Sequence, residues 1–265
     1  MELALYQVDS FTDELFSGNP ACVVILEEWL PDEILFKITQ ENAVAETAFF
    51  LPQDDGFHLR WFTPETEMDL CGHATLAAAF VLKRCKNYRA DKIIFYTQSG
   101  TLMVTVEEDM FWLDFPSRLP LPASLPWQIE EALNIKPIEV LKSRDYVLVY
   151  ENEETIRNIR VDRQLFDRLN LDPGGVIVTA KGEEHDFVSR FFTPQASILE
   201  DPVTGSAHCS LIPYWAGQLN KQEMIARQLS ERKGTLLCKN SAERVLIGGQ
   251  ARLYSKGVLV LPARF

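Results

Sequence analysis

Glu46 stands alone as a carboxylate in the run "NAVAETAFFL", residues 42 to 51, at the start of a segment that is otherwise almost wholly apolar. A carboxyl drawn into dry surroundings has its pKa raised, which suits a group exchanging protons with a carbon acid near neutral pH. The plainer alternative is a Glu near a strand end that faces water, and the run on its own favours that alternative. On a strand, Glu46, Ala48 and Phe50 share one face while Ala45, Thr47, Phe49 and Leu51 share the other, and both faces are apolar. Two glycine loops offer complementary chemistry: Cys71-Gly72-His73 in "DLCGHAT" and Thr204-Gly205-Ser206 in "DPVTGSAH". Each opens an apolar segment. A helix start there presents unpaired N–H groups and a positive dipole end to an anion, and glycine lets a ligand approach the backbone. The ordinary alternative is that Thr75, Ser206 and Asp201 cap these helices. His208 and Cys209, with Cys71 and His73, raise the question of zinc, but the spacings C-x-H and H-C match no standard pattern, so no metal is expected. The alternating carboxylates Glu65, Glu67 and Asp69 read most simply as a solvated strand edge.

The two loops belong to a repeat. "RWFTPETEMDLCGHATLAAAF" starts at Arg60 and "RFFTPQASILEDPVTGSAHCSL" at Arg190, an offset of 190 − 60 = 130 residues, close to half the chain. Aligning Cys71-Gly72-His73-Ala74-Thr75 with Pro202-Val203-Thr204-Gly205-Ser206 requires one inserted residue in the second copy. Around these units lie short β-branched or aromatic segments bounded by Gly, Pro, Asn and Asp, as strands are. Helices are expected over 31–42, 128–133 and 163–170, and after each glycine loop over 73–83 and 206–219. "HATLAAAFVLK" is uncharged from Ala74 through Leu82 and apolar all round, so it belongs inside a curled sheet rather than on a surface. Pro213 is expected to kink or shorten the second such helix. The Pro-rich stretch 115–127 reads as a linker, dividing the chain into domains 1–117 and 118–265, with the last strand a candidate to return to the N-terminal half.

Bulk composition narrows the classes. The 265 residues suffice for two ordinary domains with real cores. A net charge of -12 excludes the basic footprint that nucleic acids and anionic membranes require, while leaving room for a small anionic metabolite held by backbone amides. The first residues show neither a basic n-region nor a long apolar core, so no signal peptide is expected, and no apolar run is long enough to span a bilayer. Five cysteines without a CxxC pair indicate free thiols and a cytoplasmic setting.

Taken together, "FSGNPACVV", "AETAFF", "RWFTPETEMDLCGHATLAAA" and "EDPVTGSAH" resemble the PhzF family of phenazine-biosynthesis-like isomerases, within the diaminopimelate epimerase-like superfamily. The resemblance runs in matching order to about residue 215. It implies an α+β fold of two similar domains, each a β-barrel wrapped around a central apolar helix, with the active site in the cleft between them. It also implies an isomerase working without metal or organic cofactor, and a homodimer. Residue by residue, the family's catalytic glutamate falls on Glu46, its site histidine on His73, its site aspartate on Asp201 and its serine on Ser206. Gly72 and Gly205 would hold the substrate through backbone amides, and Asn19 of "SGNP" would line the site.

One departure bears on mechanism. Related epimerases and racemases oppose two cysteines, one at each helix start. Cys71 takes the first place, but Pro202 is expected at the second, which removes two-thiol racemisation. The expected activity is movement of a proton within a small carboxylate-bearing metabolite by Glu46. An epimerase using Glu46 with His73 or Asp201 is the second reading, and a binding module without turnover is the third.

Overall fold

Alternating β-branched and aromatic residues become strands wherever one face can reach an apolar core, and in the computed structural model, which describes residues 1–171 and 174–262, they do so in two units. One comprises Met1–Asp114 with Gly248–Phe265 and the other Phe115–Ile247.

In the first unit, β1 (Glu2–Ser10) runs antiparallel to β2 (Asn19–Ile25), which is parallel to β3 (Glu46–Gln53), which is antiparallel to β4 (Gly56–Phe62). Lys92–Thr97 then pairs in parallel with β4 and antiparallel with Gly100–Glu107. Helix α1 (Asp32–Asn42) starts behind Pro31 and packs Leu35 and Ile38 with Val24, Phe49 and Phe62 on one face of the sheet. Helix α2 (Gly72–Phe80) is buried along its whole length, as its uncharged sequence demands, and lies against β1, β2 and β3. It continues as a π-helical turn, Val81–Cys85. The barrel wall comes very close to it at Gly249, where a Cβ would stand 2.4 Å from the Phe11 ring and 3.1 Å from Leu76.

The second unit repeats the pairing order. Glu139–Lys142 is antiparallel to Tyr146–Val149, which is parallel to Val176–Lys181, which is antiparallel to Phe187–Phe192. Phe187–Phe192 is parallel to Glu223–Gln228, which is antiparallel to Gly234–Ser241. Its central helix, His208–Leu219, contains Pro213 yet runs unbroken to Leu219, so the expected shortening does not occur. Trp215 Nε1 ties it to Thr179 Oγ1 at 2.9 Å. Each unit is thus a β-barrel around an apolar helix.

The repeat extends to side chains, and these correct the alignment. Arg60 grips Glu67 through two nitrogens (2.7 and 2.8 Å) and lies 4.9 Å over the Phe62 ring. Arg190 grips Glu200 at the same two distances and lies 4.9 Å over Phe192. Glu67 is therefore an ion-pair partner on the barrel wall rather than part of a solvated edge. Phe62 pairs with Glu67 across one hairpin and Phe192 with Glu200 across the other, so the offset grows from 190 − 60 = 130 to 200 − 67 = 133. The second copy carries three extra residues, not one. The counterpart of Cys71 is then Thr204 rather than Pro202, and that of His73 is Ser206. Thr75 Oγ1 donates to the Cys71 carbonyl and His208 Nδ1 contacts the Thr204 carbonyl at 2.8 Å, the same four-residue back-bond in both copies.

Other expectations need adjusting. The C-terminal strand, Ala251–Val260, pairs antiparallel with β1 over its length, so it counts with the first unit and the second ends at Ile247. The Pro-rich stretch belongs to the second unit, where Leu121 and Pro122 pair with Lys142 and Leu141. Glu153–Asn158, capped by the Asn152 side chain, is a helix too short for periodicity to reveal, and Arg163–Phe166 is shorter than expected. Among the described residues no helix is long and apolar enough to cross a membrane.

Candidate active site

Three segments of the first unit bring their polar residues to the start of α2. Glu46 opens β3 beside Ala21 of β2, and because Phe49 and Leu51 turn toward α1, Glu46 takes the opposite face with Ala48 and Phe50. Asn19 opens β2 opposite Ser10. The turn before it needs Gly18, whose φ is +68° and where a Cβ would sit 2.2 Å from the Ser10 carbonyl oxygen. Ser10 Oγ in turn donates to the His73 carbonyl at 2.8 Å, fixing the loop.

His73, 3% exposed, is the hub. Its Nε2 stands 3.0 Å from Glu46 Oε2, at an orientation that is not a hydrogen bond, so both atoms are buried without a hydrogen-bond partner. Its Nδ1 lies 3.1 Å from Asn19 Nδ2 and 3.6 Å from Cys71 Sγ. With the Asn19 NH₂ turned to Nδ1, that nitrogen accepts and the proton of neutral His73 sits on Nε2, facing Glu46; for the imidazolium the amide turns over. Burial opposes charging the ring, but the Cys71 and Glu46 acids beside it outweigh burial and raise the His73 pKa well above its ordinary value. Burial likewise raises the pKa of the Cys71 thiol. Cys71 occupies the N-cap of α2 without giving a side-chain cap, and Thr75 bonds back to the Cys71 carbonyl rather than to a first-turn amide. The capping alternative therefore fails for Thr75.

Asp201, Gly205 and Ser206 lie in the second unit. The Asp201 carboxylate accepts from the Thr204 hydroxyl, and Gln228 clasps the loop by donating to the Asp201 carbonyl at 2.8 Å and accepting from Thr204 N at 2.9 Å. Arg144 Nη2 donates to Ser206 Oγ at 3.0 Å while pairing with Asp145, which is 1% exposed and also accepts from Gly175 N at 2.9 Å. Sequence reading missed Arg144 and Asp145. Their one signal is an adjacent opposite-charge pair directly before the apolar strand "YVLV". The structure thus groups Asn19, Glu46, Gly72 and His73, adds Cys71, and holds Asp201, Gly205 and Ser206 together as a separate set.

A family model described as phenazine biosynthesis-like protein matches residues 8–257. The chain belongs to the PhzF family. An uncharacterized isomerase of Pseudomonas aeruginosa is 48% identical, with 98% of this chain and 100% of that one covered. A crystal structure of a PhzF-family protein from Enterococcus faecalis, 46% identical, superposes with a TM-score of 0.93 over 98% of this chain and 100% of that one. A hydroxyproline epimerase from Agrobacterium vitis shares the fold alone, at 9% identity and a TM-score of 0.64, over 97% of this chain and 92% of that one. Membership of this family makes the chain an isomerase by class.

Proposed function

We propose that this PhzF-family chain moves a proton within a small carboxylate-bearing metabolite and that Glu46 is the group that carries it. The contact between Glu46 Oε2 and His73 Nε2, 3.0 Å apart and otherwise unpartnered in a buried place, is the observation that supports this reading best. A carboxylate used for salt bridging alone would be expected to take a well-aligned partner, as Glu67 and Glu200 do. In the reaction, a substrate C–H bond breaks toward Glu46, leaving its electron pair on the substrate as an enolate. The protonated Glu46 then returns the proton at another carbon. His73 steadies the carboxylate and is itself positioned by Asn19. The start of α2, with the amides of Gly72 and His73, stabilises the enolate charge, an effect typically worth about 3–4 kcal/mol per donor. On the family resemblance alone, Asp201, Gly205 and Ser206 take part in handling the substrate.

Thr204 as the repeat counterpart of Cys71 supports positional isomerisation over two-thiol epimerisation, since a threonine hydroxyl is too weak an acid to serve as the second thiol would. The test is deuterium incorporation from D₂O, followed by NMR over a panel of small carboxylates. Glu46→Gln should abolish exchange. Glu46→Asp, which withdraws the carboxylate by one methylene, should slow it by about 100-fold, the cost of an ångström-scale misplacement. Exchange unchanged in Glu46→Gln would remove Glu46 from this role.

A further inference from the structure

The grouping of Glu46, Cys71 and His73 carries chemistry that proton transfer does not use. One ligand atom from each lies within 4.8 Å of the other two, and all three belong to side chains largely withdrawn from solvent. They are a carboxylate oxygen, a thiol and an imidazole, the three donor types that zinc sites draw on, and three protein ligands with one open position is the pattern of a non-structural zinc site. The Cys71 Sγ to His73 Nδ1 separation of 3.6 Å is close to that of two ligands on one tetrahedral zinc: bonds of about 2.3 and 2.0 Å at a tetrahedral angle place S and N about 3.5 Å apart, and the Asn19 amide facing Nδ1 would give way to the ion. A second observation also points to a ligand. Glu46 Oε2 is a buried acceptor with no hydrogen-bond partner, an arrangement native structures rarely leave without a purpose and one that a cation held by Cys71 and His73 Nδ1 would relieve.

We infer that Glu46, Cys71 and His73 form a binding site for a borderline-soft divalent cation, Zn²⁺ above all, and that the ion acts as a reversible inhibitor of the proton-transfer centre. Coordination breaks the Cys71 S–H bond and forms an S–Zn bond. The thiol proton leaves to solvent, as does any proton on the imidazole nitrogen that becomes the ligand. Glu46 swings through its flexible side chain to close the remaining gap. No electrons change hands. Hard cations that prefer all-oxygen shells, Mg²⁺ and Ca²⁺, gain nothing from a thiol and an imidazole and are rejected. The ion occupies the carboxylate and imidazole that the proposed reaction needs free, so a rise in free Zn²⁺ switches the centre off. The binding claim stands on the cluster itself; only the inhibitory consequence rests on the proposed function.

The experiment uses the metal alone on the full chain. Co²⁺ is titrated into reduced protein while the thiolate-to-cobalt charge-transfer band in the near ultraviolet is followed, and Zn²⁺ is then added to displace it. One equivalent of Co²⁺ should give the band, Zn²⁺ should abolish it, and excess Mg²⁺ should leave it intact. Cys71→Ala should lose the band entirely. Cys85→Ser, which removes the thiol outside the core, should keep it. Glu46→Gln should keep a band with Co²⁺ affinity reduced about 10- to 100-fold. Each variant is checked by near-ultraviolet circular dichroism, and should Cys71→Ala fail to fold, Cys71→Ser serves in its place, with loss or red-weakening of the sulfur band as the expected result. A band that survives removal of the Cys71 sulfur, or no band in the wild type at millimolar Co²⁺, would overturn the assignment. If the metal binds as described and Glu46→Gln still exchanges deuterium, the proposed function fails while the site stands.

Discussion

His208 shows how burial alone sets one residue's chemistry. It is fully buried, contacts the Thr204 carbonyl through Nδ1 at 2.8 Å, and has the Phe187 ring 5.9 Å away. Its Nε2 has no hydrogen-bond partner, so the charged form has nothing to stabilise it on that side. Burial dominates over the Thr204 bond and pulls the pKa down to about 4. Its folded pKa is below the unfolded value of about 6.5, so the unfolded chain binds the proton more readily. The stability this group contributes is therefore complete above pH 6.5 and is lost as pH falls toward 4, in total roughly 3 kcal/mol. Urea unfolding of the wild type should show that loss between pH 7 and pH 4.5. In His208→Gln, which keeps a donor for Thr204 but does not titrate, the decline over the same range should be smaller by about that amount. Equal acid sensitivity in both proteins would rule His208 out as the source.

Among the elements, the two Arg–Glu hairpins make the sharpest comparison, because each holds a short acidic connector against a barrel strand next to a glycine loop. Arg60 and Glu67 are 15% and 19% exposed, and Arg190 and Glu200 are 14% and 23% exposed. Arg60→Met leaves Glu67 with a half-buried charge and no partner, and should cost about 2–3 kcal/mol in chemical denaturation. Arg190→Met should cost as much or more, since Arg190 also donates to the Ile156 and Ile159 carbonyls. Lys37→Met, which breaks the exposed pair with Glu33, should leave stability unchanged within error. A small effect in Arg60→Met would mean the hairpin is held by backbone pairing alone. These pairs also mark where sequence reading stops. The repeated "FTP" and the uncharged helix are visible because they are local, continuous patterns. The pairs are not, because the same contact spans seven residues in one copy and ten in the other, and only strand register reveals that the extra residues fall between Phe192 and Glu200. Glu46, His73 and Asn19 could be singled out by type and motif. Their convergence could not, for it depends on the parallel pairing of β2 with β3 and on a loop pinned by Ser10.

At the scale of the whole molecule, the first unit is closed by the two ends of the chain. Ala251–Val260 pairs with β1 from Ala251 opposite Ser10 to Val260 opposite Glu2. Beyond it the Met1 amine donates to the Leu261 carbonyl at 2.8 Å and Leu261 N to the Met1 carbonyl at 2.9 Å. The strand that completes the wall around α2 is thus the last described part of the chain, and the unit cannot close its barrel until that strand is present. Deleting residues 251–265 would strip β1 of one of its two strand partners, leave the backbone donors and acceptors on that side as an open edge, and uncover Leu5 and Val8. The truncated chain should lose cooperative unfolding of the first unit, with weakened near-ultraviolet dichroism from its aromatic core. A circular permutant tests the same point without removing any residue. Joining residue 265 to Met1 through a short Gly-Ser linker and opening the chain at the exposed Ser99–Gly100 turn, where Gly100 has a φ of +94° and open space around it, keeps every pairing between β1 and Ala251–Val260. The permutant should fold with a thermal midpoint within a few degrees of the wild type. A permutant as disrupted as the deletion would show instead that the order of synthesis, and not the closing strand, decides whether the first barrel forms.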